Sequence, residues 1–324
     1  MKLDKTFQVG KNFEHDSAIR HVTGEAIYID DMPEDNKLMH AALITSKHAY
    51  AKIKKIDLSK LKKLPFDTYV FSAKDIPGKN DIGPIFGDEP ILADNLISYF
   101  GQPVAVVVAD DYQKAMYAAN LVEIKTSSLG EPILSIDQAY EKQSFLSAPM
   151  EIRIGNPKKA IKNSKLTLEG NLLIGGQDHF YLESQISLAV PNENEEMTIW
   201  SSTQHPTEVQ HGVANVLNLP SAKIDCKTRR LGGGFGGKES QATIFAGIAA
   251  LSAYKLNRPV KLRLDRKTDM TVSGKRHNFK VNYKIGFEKN GKINGLEIVL
   301  LSNGGNVLDL SGPVMTRALT HLDN

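Results

Sequence analysis

The octapeptide Gly232-Gly233-Gly234-Phe235-Gly236-Gly237-Lys238-Glu239 constrains the fold more than any other stretch of the chain. So many glycines lose too much conformational freedom to sit inside a helix or strand, which makes the segment a loop. Before it, Ile224, Cys226 and Thr228 alternate with Lys223, Asp225 and Lys227, a pattern that predicts a half-exposed antiparallel strand over 223–230. After it, Ser240 to Tyr254 is mostly apolar and predicts a buried helix. A glycine loop at the positive end of a helix can bring backbone N–H groups close to an anionic or polar ligand. Two familiar patterns match in form and fail in chemistry. Gly232, Gly237 and Lys238 imitate a P-loop, but Glu239 stands where a hydroxyl should hold magnesium. Gly232, Gly234 and Gly237 imitate a dinucleotide fingerprint, but Lys227-Thr228-Arg229-Arg230 replaces the buried apolar strand that motif needs. The plain alternatives are a tight turn without ligand for the glycines, and an acid favoured by the helix dipole for Glu239.

Composition narrows the chemistry. With 324 residues, 41% hydrophobic and 24% charged, the chain is expected to be globular with about two domains. A net charge of +3 is too small a field for nucleic-acid binding by counterion release. The single cysteine, Cys226, excludes an intrachain disulfide and any cysteine-ligated metal cluster, and the histidines show no ligand spacing. No Gly-x-Ser-x-Gly elbow is present. Met1 to Thr6 is polar with no signal-like apolar core behind it, and Val104–Ala109 and Ile244–Tyr254 are too short to span a bilayer. A cytoplasmic protein without membrane segments is expected.

Along the chain, short strands are expected at Ala26–Ile29 and Met39–Ile44 around a turn at Asp30-Asp31-Met32-Pro33. Ser98–Asp110, Asp111–Asn120 and Val122–Thr126 read as strand, helix and strand, suggesting a βαβ crossover. Gly130, Pro132, Pro149, Gly155 and Pro157 among polar residues mark a surface connector. The α+β organisation expected is therefore a domain over 1–130, a connector over 131–160 and a second domain over 161–324. Within the latter, Leu166–Ile174 and Met197–Ser202 predict strands, and Pro206–Leu217 predicts a helix with Val209, Val213 and Val216 on one face. The lysine-rich stretch 52–63 reads as a solvated face.

Three segments carry a family resemblance: Gly175-Gly176-Gln177-Asp178-His179-Phe180-Tyr181-Leu182-Glu183, Leu231 to Glu239, and Arg317-Ala318-Leu319-Thr320-His321-Leu322-Asp323-Asn324. In their order and separation they resemble the molybdenum-cofactor subunit of xanthine dehydrogenases. Val9-Gly10, Thr23-Gly24-Glu25-Ala26 and Tyr28-Ile29-Asp30-Asp31 are similar to the α/β hammerhead domain that precedes the cofactor domain there. The resemblance implies a molybdopterin cofactor whose metal takes no direct protein ligand. It implies that Gln177 hydrogen-bonds an oxygen ligand of that metal, and that Gly234, Phe235 and Gly236 lie against the cofactor. It further implies that Glu239 and Arg317 bind substrate, because purine-oxidising members keep this pair and aldehyde oxidases tend to replace it.

The implied activity is hydroxylation of a purine such as hypoxanthine or xanthine with water as oxygen source. Electrons would leave through 2Fe-2S and FAD centres on partner subunits of an oligomeric complex. Aldehyde or heteroaromatic hydroxylation, and a non-catalytic fragment, are the rival readings. Family members continue past the Arg317 segment to a second glycine-rich motif and a general-base glutamate, so residues 161–324 correspond to the first part of the cofactor domain.

Overall fold

The computed structural model describes residues 10–83 and 86–321, so Met1–Thr6, Val9 and the triad Leu322-Asp323-Asn324 of the motifs above lie outside the described residues. The first region contains α1 (Ala18–Thr23), β1 (Met39–Thr45), β2 (Ala51–Asp57), β3 (Tyr69–Ser72), β4 (Leu96–Ile97), β5 (Pro103–Ala109), α2 (Tyr112–Leu121) and β6 (Glu123–Ser128). The stretch expected as connector holds two short helices, α3 (Ile136–Glu141) and α4 (Pro157–Lys162). Beyond it come β7 (Leu166–Ile174), β8 (Ile186–Pro191), β9 (Met197–Ser201), α5 (Pro206–Leu217), β10 (Ile224–Lys227) and α6 (Ala242–Leu256). The described chain ends with β11 (Val260–Arg263), α7 (Arg266–Val272), β12 (Phe279–Phe287), β13 (Ile293–Ser302) and α8 (Ser311–Thr320).

One seven-stranded sheet, ordered β10-β9-β8-β11-β1-β5-β3, takes strands from both sides of residues 131–160. The junction is the parallel pairing of β1 with β11, Met39 opposite Val260 and Ala41 opposite Leu262. Apolar side chains on these strands, among them Val106, Ile199 and Leu262, pack with Val213 and Val216 of α5 and with Phe245, Ile248 and Leu251 of α6. Every residue of α6 from Ala242 to Ala253 is buried, as its nearly uniform apolar sequence requires. Two three-stranded sheets, β13-β12-β7 and β4-β2-β6, flank this core.

Helix α5 has the predicted limits, with Pro206 in its first turn and Val209, Val213 and Val216 buried. Three expectations fail for identifiable reasons. Ala26–Ile29 is not a strand: Ile29–Asp31 forms a 3₁₀ turn, because the Asp31 carboxylate accepts the Tyr28 N–H at 3.0 Å and Ile29 packs beside Leu38, Ile186 and Leu188. The expected crossover also fails, since β5 and β6 belong to different sheets. Both edges of β5 are occupied by antiparallel neighbours, β1 and β3, so no parallel partner can join it. A strand-helix-strand crossover is instead formed by β9-α5-β10. Strand β10 runs parallel to β9, not antiparallel as its alternation suggested, and its exposed residues reflect its place at the sheet edge.

Candidate cofactor and substrate site

Two loops, one following β7 and one following β10, lie against each other. The Glu183 N–H donates to the Gly232 carbonyl at 3.0 Å, and the Gly232 N–H donates to the Glu183 Oε2 at 2.8 Å. Three glycines make this contact possible. A Cβ at Gly232 would stand 2.3 Å from the Glu183 Cβ, one at Gly234 would stand 2.4 Å from the Gln204 Oε1, and one at Gly237 would stand 2.7 Å from the His179 ring. Much of the glycine-rich sequence is thus demanded by the protein's own packing, with the cradle as its consequence.

Lys238 fastens the two loops from beneath. Its side chain is fully buried, and Nζ donates to the Glu183 carbonyl at 2.7 Å and the Ser202 Oγ at 2.6 Å, with the Tyr181 ring centroid 4.4 Å away. Desolvation draws the amine down to about 8, against the opposing pull of Glu183 and Asp269. Tyr181, also buried, donates to the Asp269 Oδ1 at 2.7 Å, and Gln185 bridges Tyr181 and the Gly237 carbonyl, each at 3.0 Å.

Gln204 supports the glycine loop. Its Oε1 accepts the N–H groups of Gly236 at 2.9 Å and Lys238 at 3.2 Å. The Gly236 N–H is therefore engaged inside the protein, whereas those of Gly233, Gly234 and Phe235 have no protein acceptor among the described residues. Phe235 sits at φ 53 with its side chain 76% exposed, and Gly236 follows at φ 89. Two left-handed residues thus stand in succession, a conformation that Gly236 adopts freely and Phe235 only at a cost.

On the facing loop, Gln177 is held by a two-bond backbone bridge to Arg276, at 3.3 and 3.0 Å, while the residue itself is exposed. His179 is half-buried against Gly236 and Gly237, and burial lowers its affinity for a proton. Asp178 pairs with Lys275 at 3.2 Å. Cys226 lies on β10, where burial pushes its thiol up to about 12, leaving it unreactive.

Glu239 is exposed and precedes α6, whose first residue is Ala242, so it is no first-turn acid of that helix. Arg317 is exposed on α8. The elements bearing them are joined one residue beyond Glu239, where the Ser240 Oγ donates to the Asp309 Oδ2 at 2.9 Å just ahead of α8. Sequence reading missed Gln204, Lys238, Glu183 and Asp309 as supports of this site. Their only signals were Lys238 inside the false P-loop and Glu183 at the end of the glutamine motif. Among the described residues, no group of three or more His, Cys, Asp or Glu side chains is placed to hold a metal ion, and no helix is long and apolar enough to cross a membrane.

The family described as the molybdopterin cofactor-binding domain matches residues 139–324, and the aldehyde oxidase and xanthine dehydrogenase a/b hammerhead domain matches residues 23–129. The chain is 44% identical over 317 residues to a xanthine dehydrogenase/oxidase of Gallus gallus, covering 98% of this chain and 23% of that protein. A nicotinate hydroxylase of Emericella nidulans is 40% identical over 321 residues, covering 98% of this chain and 24% of that protein. Among solved structures, the aldehyde oxidoreductase of Desulfovibrio gigas superposes with a TM-score of 0.77 at 25% identity, over 89% of this chain and 34% of that one. The chain spans about a quarter of the length of the curated relatives it matches. With both domain families matched in order and the glutamine and glycine motifs packed together, this chain belongs to the xanthine dehydrogenase and aldehyde oxidase family of molybdenum hydroxylases, with a hammerhead domain followed by a molybdopterin cofactor-binding domain.

Proposed function

We propose that this chain contributes the cofactor-facing loops and the substrate-recognising pair of a hydroxylase that oxidises a purine, hypoxanthine or xanthine, with oxygen derived from water. The observation that carries the reading is that Glu239 and Arg317 are both present, both exposed and borne on elements joined through Ser240 and Asp309. A carboxylate and a guanidinium on either side of a flat heterocycle can hydrogen-bond its edges and stabilise negative charge developing on the ring.

The site fits a molybdopterin. The N–H groups of Gly233, Gly234 and Phe235, without a protein acceptor among the described residues, suit polar and anionic atoms, and the exposed Gln177 offers an uncharged amide donor. When bound, the cofactor supplies the redox centre that accepts the two electrons of the oxidation. Gly234, Phe235 and Gly236 would lie against it. Gln177 would hold an oxygen of the cofactor, and the bridge to Arg276 fixes that residue's backbone. Iron–sulfur and FAD partners would carry the electrons onward in an oligomeric cytoplasmic complex.

Heteroaromatic hydroxylation is the second reading, favoured by the 40% identity to a nicotinate hydroxylase. Assay of the complete enzyme on hypoxanthine, nicotinate and a simple aldehyde separates the readings. Hypoxanthine is expected to have the highest kcat/KM, and a preference for either other substrate would overturn the purine assignment. No turnover of any of the three by the assembled, cofactor-loaded complex would favour a non-catalytic role.

A further inference from the structure

Two adjacent carboxylates of the hammerhead domain reach the two recognition elements separately. The Asp88 Oδ2 accepts the Leu308 N–H at 2.8 Å, just ahead of α8, which carries Arg317. The Glu89 Oε1 accepts the Gln241 Nε2 at 2.8 Å, two residues beyond Glu239. Between them the Ser240 Oγ donates to Asp309, whose backbone is held at φ 38, a conformation that L-residues adopt at a cost. Asp88 and Glu89 are themselves anchored. The Asp81 Oδ1 accepts the Glu89 N–H at 3.2 Å and the Gly83 N–H at 2.8 Å, and the Ile82 N–H donates to the Glu89 carbonyl at 2.9 Å. Glu89 is only 8% exposed, so its contact with Gln241 is shielded from competing water.

We propose that Asp88 and Glu89 form an interdomain latch that sets the separation of Glu239 and Arg317, and thereby selects a flat heterocycle over a small aldehyde. The proposal rests on the reading of Glu239 and Arg317 as the substrate pair. Consecutive residues of one anchored segment cannot move independently, so tying one to each recognition element fixes a distance that neither element fixes alone. A purine touching both residues feels that distance. An aldehyde too small to span them does not. Asp88 and Glu89 are thus positioning residues, acting through Leu308 and Gln241.

The test uses the complete enzyme, with Asp88→Ala, Glu89→Ala and the conservative Glu89→Gln, whose amide oxygen still accepts from Gln241. Two readouts are taken: amide hydrogen exchange over 232–245 and 305–320, and KM and kcat for hypoxanthine and a simple aldehyde. Asp88→Ala should speed exchange in 305–320 and Glu89→Ala in 232–245, each about tenfold, the scale of one lost hydrogen bond. KM for hypoxanthine should rise about tenfold for each alanine variant. The aldehyde's KM should stay within twofold of wild type, and Glu89→Gln should restore both readouts. If Asp88→Ala fails to fold, Ser240→Ala removes only a hydroxyl and should act in the same direction on 305–320. Unchanged exchange in both segments overturns the latch itself. Faster exchange with equal KM changes for both substrates overturns its selective role. Faster exchange in an enzyme whose wild type ignores purines overturns the substrate reading and the selection that rests on it.

Discussion

At the residue scale, a glycine motif has two masters, and the structure tells them apart. Gly234 has no room for a Cβ because Gln204 fills the space, so Gly234→Ala should destabilise the fold by about 1–3 kcal/mol through overpacking. Chemical denaturation measures this. Gly234→Ala with Gln204→Ala should recover part of the loss, and an additive pair would show that Gln204 is not the obstacle. Glu89 offers a second test. Burial pushes its carboxyl up to about 7 from an ordinary 4.5, with Asp309, Asp88 and Asp81 adding to the rise against the Gln241 hydrogen bond. Its Oε2 and the Asp309 Oδ1 are buried without a hydrogen-bond partner among the described residues, which agrees with a carboxyl that holds its proton. The folded state then binds a proton that the unfolded state has lost between pH 4.5 and 7, so stability falls as pH rises through that window. The stability is undiminished below the lower value, and the loss amounts to roughly 3 kcal/mol by the upper one. Glu89→Gln cannot titrate. The difference in unfolding free energy between it and wild type should widen from pH 4.5 to 7 in favour of the variant, and a flat difference would show that Glu89 is ionised throughout.

At the scale of elements, legibility followed the local physics. Helix α5 was readable because a proline at its start and valines on one face are local signals. The direction of β10 was not, because alternation reports which faces are exposed, and an edge strand shows the same alternation as an antiparallel one. The same limit hid Gln204, whose role depends on a glycine loop arriving from thirty residues downstream. The roles proposed for Gln177, Glu239 and Arg317 rest on long motifs alone, since nothing local distinguishes an exposed arginine on α8 from a solvated one. Helix α8 is where that reading is tested. Arg317→Met in the complete enzyme should cost about 2–4 kcal/mol of transition-state binding for hypoxanthine, the scale of a donor aimed at developing charge. It should leave an aldehyde's kcat/KM unchanged or improved. Steady-state kinetics decide the matter, and an equal loss for both substrates would make Arg317 a support of the cofactor site instead.

At the scale of the whole molecule, the hammerhead and cofactor-binding regions share one sheet. The parallel β1–β11 pairing is buried, and beside it Lys261 of β11, 3% exposed, reaches the Glu34 Oε1 of the first region at 2.8 Å. A lysine buried this deeply is costly without its carboxylate, so the ion pair makes separation of the two regions still less favourable. Val106 on β5 packs in the same cluster as Ile199, Leu262 and the buried face of α6, across a sequence boundary that looks like a linker. One cooperative unit should therefore unfold as one. Val106→Ala, whose lost methyls and residual cavity cost about 2 kcal/mol, should lower the protection of α6 amides by the same factor as those of β5, although α6 lies beyond residue 240. Native-state hydrogen exchange at low denaturant reads both segments in one experiment. If α6 kept its protection while β5 lost it, the sheet would be two independently stable halves meeting at β1 and β11. The spacing of Glu239 from the hammerhead carboxylates would then be set by local contacts alone, without support from the shared core.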